Sequence, residues 1–155
     1  MPEEATFQPV GQSELPMYGP RAILVCGYAA EEHPLFVKFV NSILGDISIV
    51  FVTSEHKNKK LGELVALPHN SGAGEKSDLR RAVIMSGLTE HEFHTLINSY
   101  RTGKLPTQLW ATLTNMSEKW PISSLLNELA QERDEIQKMM RERRQAQAQA
   151  GDNDA

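Results

Sequence analysis

The chain has almost no cysteine and no long apolar run. Its single cysteine, Cys26, excludes an intramolecular disulfide and favours a reducing compartment. No apolar run approaches the ~20 residues that a membrane span requires. Residues 1–20 contain neither the apolar core of a secretory signal nor the arginine-rich, acid-poor composition of a transit peptide. We therefore expect a cytoplasmic protein, or the mature form of one imported into an organelle.

The chain also lacks an excess of positive charge. Its formal net charge is −4 and its calculated pI is about 5.7, which argues against nucleic acid as the main partner. Lys57, Lys59 and Lys60 form one short basic run without an interleaved aromatic to stack a base. We interpret this run as a solvated turn and keep a weak RNA contact through it as an alternative.

Two similar stretches lie 60 positions apart (81 − 21 = 60). Residues 21–28 read RAILVCGY and residues 81–88 read RAVIMSGL. Each is an apolar run that ends at a glycine, typical of a buried strand followed by a turn. Further matches follow at offsets of 60 and 61, such as Glu32 with Glu92 and Thr53 with Thr114. The pattern predicts an internal repeat of strand, helix, strand, polar turn and helix.

The predicted elements follow from periodicity and end signals. We expect strands over 22–26, 47–53, 81–86 and 108–113. We expect helices over 31–44 and about 61–67, one from the Thr89 capping box to 101, and one from about 120 onward. Residues 68–79 are rich in glycine and polar residues, which predicts a mobile linker.

This order predicts an α/β (α+β) protein with two pseudo-symmetric βαβ halves on one four-stranded sheet and a long C-terminal helix. Two topologies satisfy right-handed crossovers. A ferredoxin-like sheet of order 4-1-3-2 is preferred to a small parallel, doubly wound sheet. We divide the chain into a flexible segment (1–20), one domain (21–131), a projecting helix (132–144) and a disordered tail (145–155).

Residues 84–92 (IMSGLTEHE) and 113–129 (LTNMSEKWPISSLLNEL) carry a family resemblance. With the tandem strand and helix pattern over about 21–135, the chain resembles an uncharacterised family known only as a domain of unknown function, found in bacteria and with related proteins in plastids. The resemblance therefore adds the plastid stroma as a second possible location. The family has no established reaction, so the resemblance implies no catalytic residues and no cofactor.

Three features with possible chemistry have a simpler interpretation. His91 and His94 have the spacing of two metal ligands, but the sequence supplies no third ligand, so we interpret them as a solvated helix turn. Cys26 lies inside an apolar run without a neighbouring base, as expected for a buried structural thiol. Residues 72–77 (GAGEKS) fail the phosphate-loop pattern because Glu75 separates glycine from lysine. We predict no catalytic residue, metal or cofactor.

The remaining features favour a non-enzymatic accessory, assembly or regulatory protein with a protein partner. Ile136, Met139 and Met140 form an apolar stripe on an otherwise charged helix, as in docking helices. Trp120, just before Pro121 at a helix start, is expected to pack locally or to meet a partner. The main alternative is a small-ligand-sensing module that binds at the turns formed by Gly27 and Gly87, since α/β domains bind ligands at strand ends.

Overall fold

A computed structural model of the chain describes residues 15–103 and 105–153. Within them lie four strands: β1 (Ala22–Cys26), β2 (Ser48–Val52), β3 (Ala82–Ser86) and β4 (Leu109–Thr112). They alternate with helices α1 (His33–Leu44), α2 (Leu61–Leu64), α3 (Glu90–Thr102) and α4 (Ile122–Asn153). No described helix has the length and apolar composition to cross a membrane.

The strands form one mixed sheet in the order β2-β1-β3-β4. Strands β1 and β2 are parallel, β3 and β4 are parallel, and β1 and β3 meet antiparallel at the centre. The predicted α/β class, with four strands and a long C-terminal helix, is confirmed.

The strand order corrects both predicted topologies. The ferredoxin-like order would make β2 and β3 neighbours, an arrangement that a short connection favours. Here residues 53–81, including α2, separate the two strands. Each half therefore keeps its own two strands adjacent, and the halves join side by side instead of interleaving.

Each face of the sheet carries its own apolar core. Alternate side chains such as Ile23 and Val83 pack with α1 and α3, while Leu24 and Ile84 pack with α2 and the first turns of α4. The central strands are buried at every position, because helices cover both faces. The result is three layers, in which the loops at the two ends of the sheet are left to form sites.

Two segments predicted to be flexible are fixed by hydrogen bonds. Asn70 N–H donates to the Ile49 carbonyl at 2.7 Å, and Phe51 N–H donates to the Ser71 carbonyl at 2.9 Å. The predicted mobile linker thus covers the outer edge of β2, which protects an edge strand from further pairing. Of the predicted N-terminal flexible segment, Met17 pairs with the Leu88 carbonyl, and residues 1–14 lie outside the described range.

The predicted tail also needs correction. Residues 145–153 continue α4 to Asn153, whereas a disordered tail was expected over 145–155. Alternating glutamine and alanine have low sequence complexity, but both residues are good helix formers. The last two residues lie outside the described range.

Candidate functional site

The two halves contact each other through exchanged ion pairs. Arg21 of the first half binds Glu92 of the second, with Nη1 to Oε1 at 2.7 Å, and Arg81 of the second half binds Glu32 of the first, with Nη2 to Oε2 at 2.9 Å. Both carboxylates also accept a loop N–H, Glu92 from Thr89 at 3.1 Å. The predicted capping box at Thr89 is therefore present.

The two predicted turn glycines lie at opposite ends of the sheet. We call the end where β1 finishes and β3 and β4 begin the Gly27 end, and the opposite end the Gly87 end. A Cβ on Gly27 would lie 2.5 Å from the Leu79 carbonyl oxygen, and one on Gly87 would lie 2.5 Å from the Gly19 carbonyl oxygen. Both glycines also have positive φ angles, +75° and +70°. Close backbone packing therefore explains the glycine at each end.

Apolar side chains fill the Gly87 end. Leu88 follows the glycine directly, Val40 reaches it from α1 and Ile47 precedes β2, and each is at most 8% exposed. These three positions are packed like an ordinary protein core, although Ser86 Oγ, just before Gly87, is buried without a hydrogen-bond partner among the described residues.

Polar and aromatic side chains occupy the same three positions at the Gly27 end. In the alignment of the two halves, Tyr28 is equivalent to Leu88, Tyr100 to Val40 and Gln108 to Ile47, at sequence offsets of 60, 60 and 61. All three are buried. A buried polar side chain lowers stability unless its hydrogen bonds are satisfied. The three side chains at the Gly27 end therefore need an explanation that their aliphatic counterparts do not.

The hydrogen bonds of the buried pair Tyr28 and Gln108 are only partly satisfied. Tyr28 donates its hydroxyl proton to Gln108 Oε1 at 2.6 Å. Gln108 Nε2 is buried and has no hydrogen-bond partner among the described residues. Rotating the amide by 180° would exchange its two polar atoms and still leave one unpaired. Burial also raises the pKa of Tyr28, which keeps its hydroxyl protonated as a donor.

Arg81 links these groups. Its guanidinium lies 3.8 Å from the centre of the Tyr28 ring and its Nε donates to the Tyr100 hydroxyl at 3.2 Å. Burial acts to lower the pKa of Arg81, but the hydrogen bonds to Glu32 and Tyr100 outweigh it and raise that pKa. Arg21, its counterpart at the Gly87 end, is more exposed and has no aromatic ring beside it among the described residues.

Two hollows open beside these residues. The first, which we call the aromatic hollow, has a volume of about 130 Å³. It is lined by Tyr28, Glu32, Leu35, Phe36, Phe39, Arg81, Tyr100 and Leu105. The second, which we call the arginine hollow, has a volume of about 270 Å³. It is lined by Tyr100, Arg101, Leu105, Thr107, Gln108, Trp110 and Arg133.

The predicted docking residues lie away from this end of the sheet. Ile136, Met139 and Met140 are 54%, 56% and 53% exposed on the projecting part of α4. Trp120 is partly buried against the core on the α2 and α4 face, which matches the expected local packing.

The lysine turn also has a structural role. The Lys57 and Lys59 carbonyls accept hydrogen bonds from Ser123 and Ile122 at 3.0 and 2.9 Å, so the turn anchors the start of α4. The lysine side chains themselves are exposed. The turn therefore combines a fixed backbone with exposed positive charge.

In the part of the chain that the structure describes, the other candidates lie beside no group that would suggest chemistry. Cys26 is fully buried, and burial raises the pKa of its thiol, which disfavours the reactive thiolate. His91 and His94 are exposed, and in the described part of the chain no group of three His, Cys, Asp or Glu side chains is placed to hold a metal. His33 is elsewhere, stacked on Phe51 with ring centres 4.0 Å apart.

Sequence reasoning missed Tyr28, Tyr100, Gln108 and Arg133. Each looks ordinary within its own segment, and Tyr28 and Gln108 are 80 residues apart. A signal was present in the comparison of the two halves, because three aliphatic positions of one end are polar or aromatic at the other. A comparison of the two predicted repeat units for their differences, and not only for their matches, would have identified these three positions.

Comparison with known protein families gives a match over the second half of the domain. Residues 81–136 match the model of a family described as a domain of unknown function, DUF3783. No curated protein and no solved structure matches the chain significantly. The predicted resemblance to an uncharacterised family is thus confirmed over β3, α3, β4 and α4 as far as Ile136.

Proposed function

We propose that the chain is a non-enzymatic accessory or regulatory protein that binds a partner protein through α4. The observation that carries this proposal is the exposed apolar stripe of Ile136, Met139 and Met140. The spacing of these residues places them on one face of the helix. An internal repeat and a reducing location, cytoplasm or plastid stroma, belong to the same proposal.

The geometry of α4 supports a docking role. Its last buried residue is Ala130, and every side chain from 134 to 149 is exposed. The helix beyond Ala130 extends roughly 35 Å at 1.5 Å per residue. Most of a helix's stability in a protein comes from packing of its apolar face, so a partner surface that covers the stripe would stabilise this part of α4.

The stripe also defines the chemistry of the partner. Acidic residues, including Glu132 and Glu135, precede basic residues, including Arg143 and Arg144. We infer a partner with an apolar groove that accepts three side chains at i, i+3 and i+4. The groove would be flanked by basic groups at one end and acidic groups at the other.

The test compares three forms of the full-length protein. I136Q/M139Q/M140Q removes the stripe while keeping good helix formers. D134Q/K138Q changes the opposite, exposed face of the same helix and serves as the matched control. Each form captures partners from the source cells, and the affinity of the captured protein is then measured with purified components.

We expect the stripe variant to bind the partner at least tenfold more weakly, because buried apolar anchors dominate helix docking. The control variant should bind within about threefold of the wild type, since rim charges contribute little. Circular dichroism should show the same helix content in all three. Equal binding by the stripe variant and the wild type would contradict the proposal, as would self-association in place of partner binding.

A further inference from the structure

The buried amide of Gln108 is a hydrogen-bond donor that no described residue uses. Gln108 is 8% exposed, and its Nε2 has no partner in the described part of the chain. The equivalent position at the other end is Ile47, which is buried and apolar. The fold therefore does not require a polar side chain at this position, and a native unsatisfied group calls for a cause.

The arginine hollow in front of Gln108 is lined by donors. Arg101 comes from the last turn of α3 and Arg133 from α4, and Thr107 adds a hydroxyl. No carboxylate lines this hollow, although Asp134 lines the adjacent one together with Arg80, Arg81 and Arg133.

Within residues 15–103 and 105–153, the two arginines of the hollow have no ion-pair partner. The ion pairs of the described residues are Arg21 with Glu92 and Arg81 with Glu32, so neither Arg101 nor Arg133 takes part in one. Unpaired guanidinium groups facing one hollow, in a chain of net charge −4, are suited to bind an anion.

The rest of the hollow is apolar. Trp110 and Leu105 form its wall, and the Trp110 ring is held edge-on by Tyr100 with ring centres 5.2 Å apart. A volume of about 270 Å³ is near the lower end of the range for small-molecule sites. Donors on one side and a rigid aromatic wall on the other select a ligand with one charged group and one apolar part.

We propose that the arginine hollow binds a small organic anion, a carboxylate or phosphate group carried on a flat apolar body. Arg101 and Arg133 bind the oxyanion, and Trp110 packs against the apolar body. The Gln108 amide, whose Nε2 is buried in the free protein, turns toward the hollow and donates a hydrogen bond to the ligand. The site is separate from the α4 stripe. Because Arg133 lies on α4, a bound anion would also tie α4 to α3.

The experiment measures binding to the full chain by thermal shift and calorimetry at constant ionic strength. The probes are indole-3-carboxylate, phenyl phosphate and inorganic phosphate, each at millimolar concentration. We expect a saturable rise in Tm with at least one of the two aromatic anions and little or none with inorganic phosphate. A response to the carboxylate alone assigns a carboxylate ligand, and a response to the phosphate ester alone assigns a phosphate ligand.

Three variants test the assignment. R101Q/R133Q removes the cations from exposed or half-exposed positions, and Y28F/Q108L removes the amide together with its hydroxyl partner. Each should weaken binding at least tenfold. R141Q/R144Q removes the same charge from the exposed part of α4 and should bind as the wild type does.

Two results would overturn the proposal. One is the absence of a saturable shift with both aromatic anions. The other is a shift that R101Q/R133Q retains in full or that R141Q/R144Q loses equally, since the anion would then be acting on the overall charge. If Y28F/Q108L proves poorly folded, R101Q/R133Q alone decides between these outcomes.

Discussion

The Gly27 and Gly87 ends share a backbone plan and differ in what fills them. At both ends a glycine approaches the other half's chain, and an arginine binds the other half's glutamate. The Gly87 end is then closed by aliphatic side chains, whereas the Gly27 end contains two tyrosines and a glutamine with an unpaired amide. The Gly87 end also holds one buried polar atom without a partner among the described residues, Ser86 Oγ. The three positions compared above are nevertheless aliphatic there, so the backbone plan does not require tyrosine or glutamine at them, and we propose binding as the reason for these side chains at the Gly27 end.

The largest expected effect concerns the close approach of a glycine to the backbone, which both ends share. Gly27→Ala and Gly87→Ala should each lower the free energy of unfolding by about 3 kcal/mol, because the new Cβ meets backbone at a positive φ. Gly45→Ala is the matched control, since Gly45 has a φ of +74° and a Cβ added there would have nothing within 4 Å. Its ψ of −155° lies in a region that only glycine readily adopts, so strain alone should cost about 2 kcal/mol at that position. Urea unfolding measures all three.

Equal losses at Gly27 and Gly87 would sharpen the comparison, because they would show that the ends share one backbone requirement. A loss at either one no larger than that at Gly45 would contradict the close approach.

The second prediction places the polar residue of one end into the other. Ile47→Gln should lower the free energy of unfolding by about 2 kcal/mol, since it buries an amide in a site where Leu88 and Val40 offer no hydrogen bond. Ile47→Leu, which keeps the site apolar, should cost less than about 1.5 kcal/mol. If Ile47→Gln left the free energy of unfolding unchanged, either end would accept a buried amide. The proposed difference between the two ends would then be contradicted.

The third prediction concerns pH and the ion pair of the Gly87 end. The Arg21 guanidinium, opposed by some desolvation and helped by the Thr89 N–H, lowers the pKa of Glu92 to about 2. A carboxyl group with a lowered folded-state pKa stabilises the protein above its ordinary pKa of 4.5. That contribution is lost as the pH falls from about 4.5 through about 2.

The pair is partly exposed, so the contribution is at most about 1 kcal/mol. Denaturant unfolding at pH 6 and at pH 3 measures it, with Glu92→Gln as the variant that should reduce the difference. Glu32→Gln is the companion at the Gly27 end, because Arg81 likewise lowers the pKa of Glu32. An unchanged pH dependence in Glu92→Gln would show that the Gly87-end pair does not contribute.

Patterns among neighbouring residues predicted most of the helices and strands. They predicted little of how these elements are arranged in space. The run at 22–26 coincides with β1, and the capping box at Thr89 places the start of α3 correctly. Both depend on neighbours in sequence. Strand order depends on which edge a distant strand pairs with, and the linker's hydrogen bonds to Ile49 and Phe51 span roughly 20 residues, so composition alone classed it as mobile.

The grouping of the candidate site's donors around one hollow was out of reach for the same physical reason, although the differences between the two halves pointed to Tyr28, Tyr100 and Gln108. Its donors come from α3, α4 and the segment before β4, and only the fold brings them together. By contrast, the exposure of Ile136, Met139 and Met140 followed from a stripe within one helix. Contacts within a helix can be deduced from spacing, whereas a hollow between elements needs the tertiary structure.

The last prediction has the smallest expected effect on stability. It tests most directly whether Tyr28 and Gln108 serve binding and are not needed for folding. Y28F/Q108L removes the Tyr28 hydroxyl and the Gln108 amide together, so neither is left without its partner. Replacing both members of a buried pair by apolar groups is nearly neutral or stabilising. The free energy of unfolding of the ligand-free variant should therefore lie within about 0.5 kcal/mol of the wild type or above it, and a loss of about 2 kcal/mol or more would show that the pair is needed for folding.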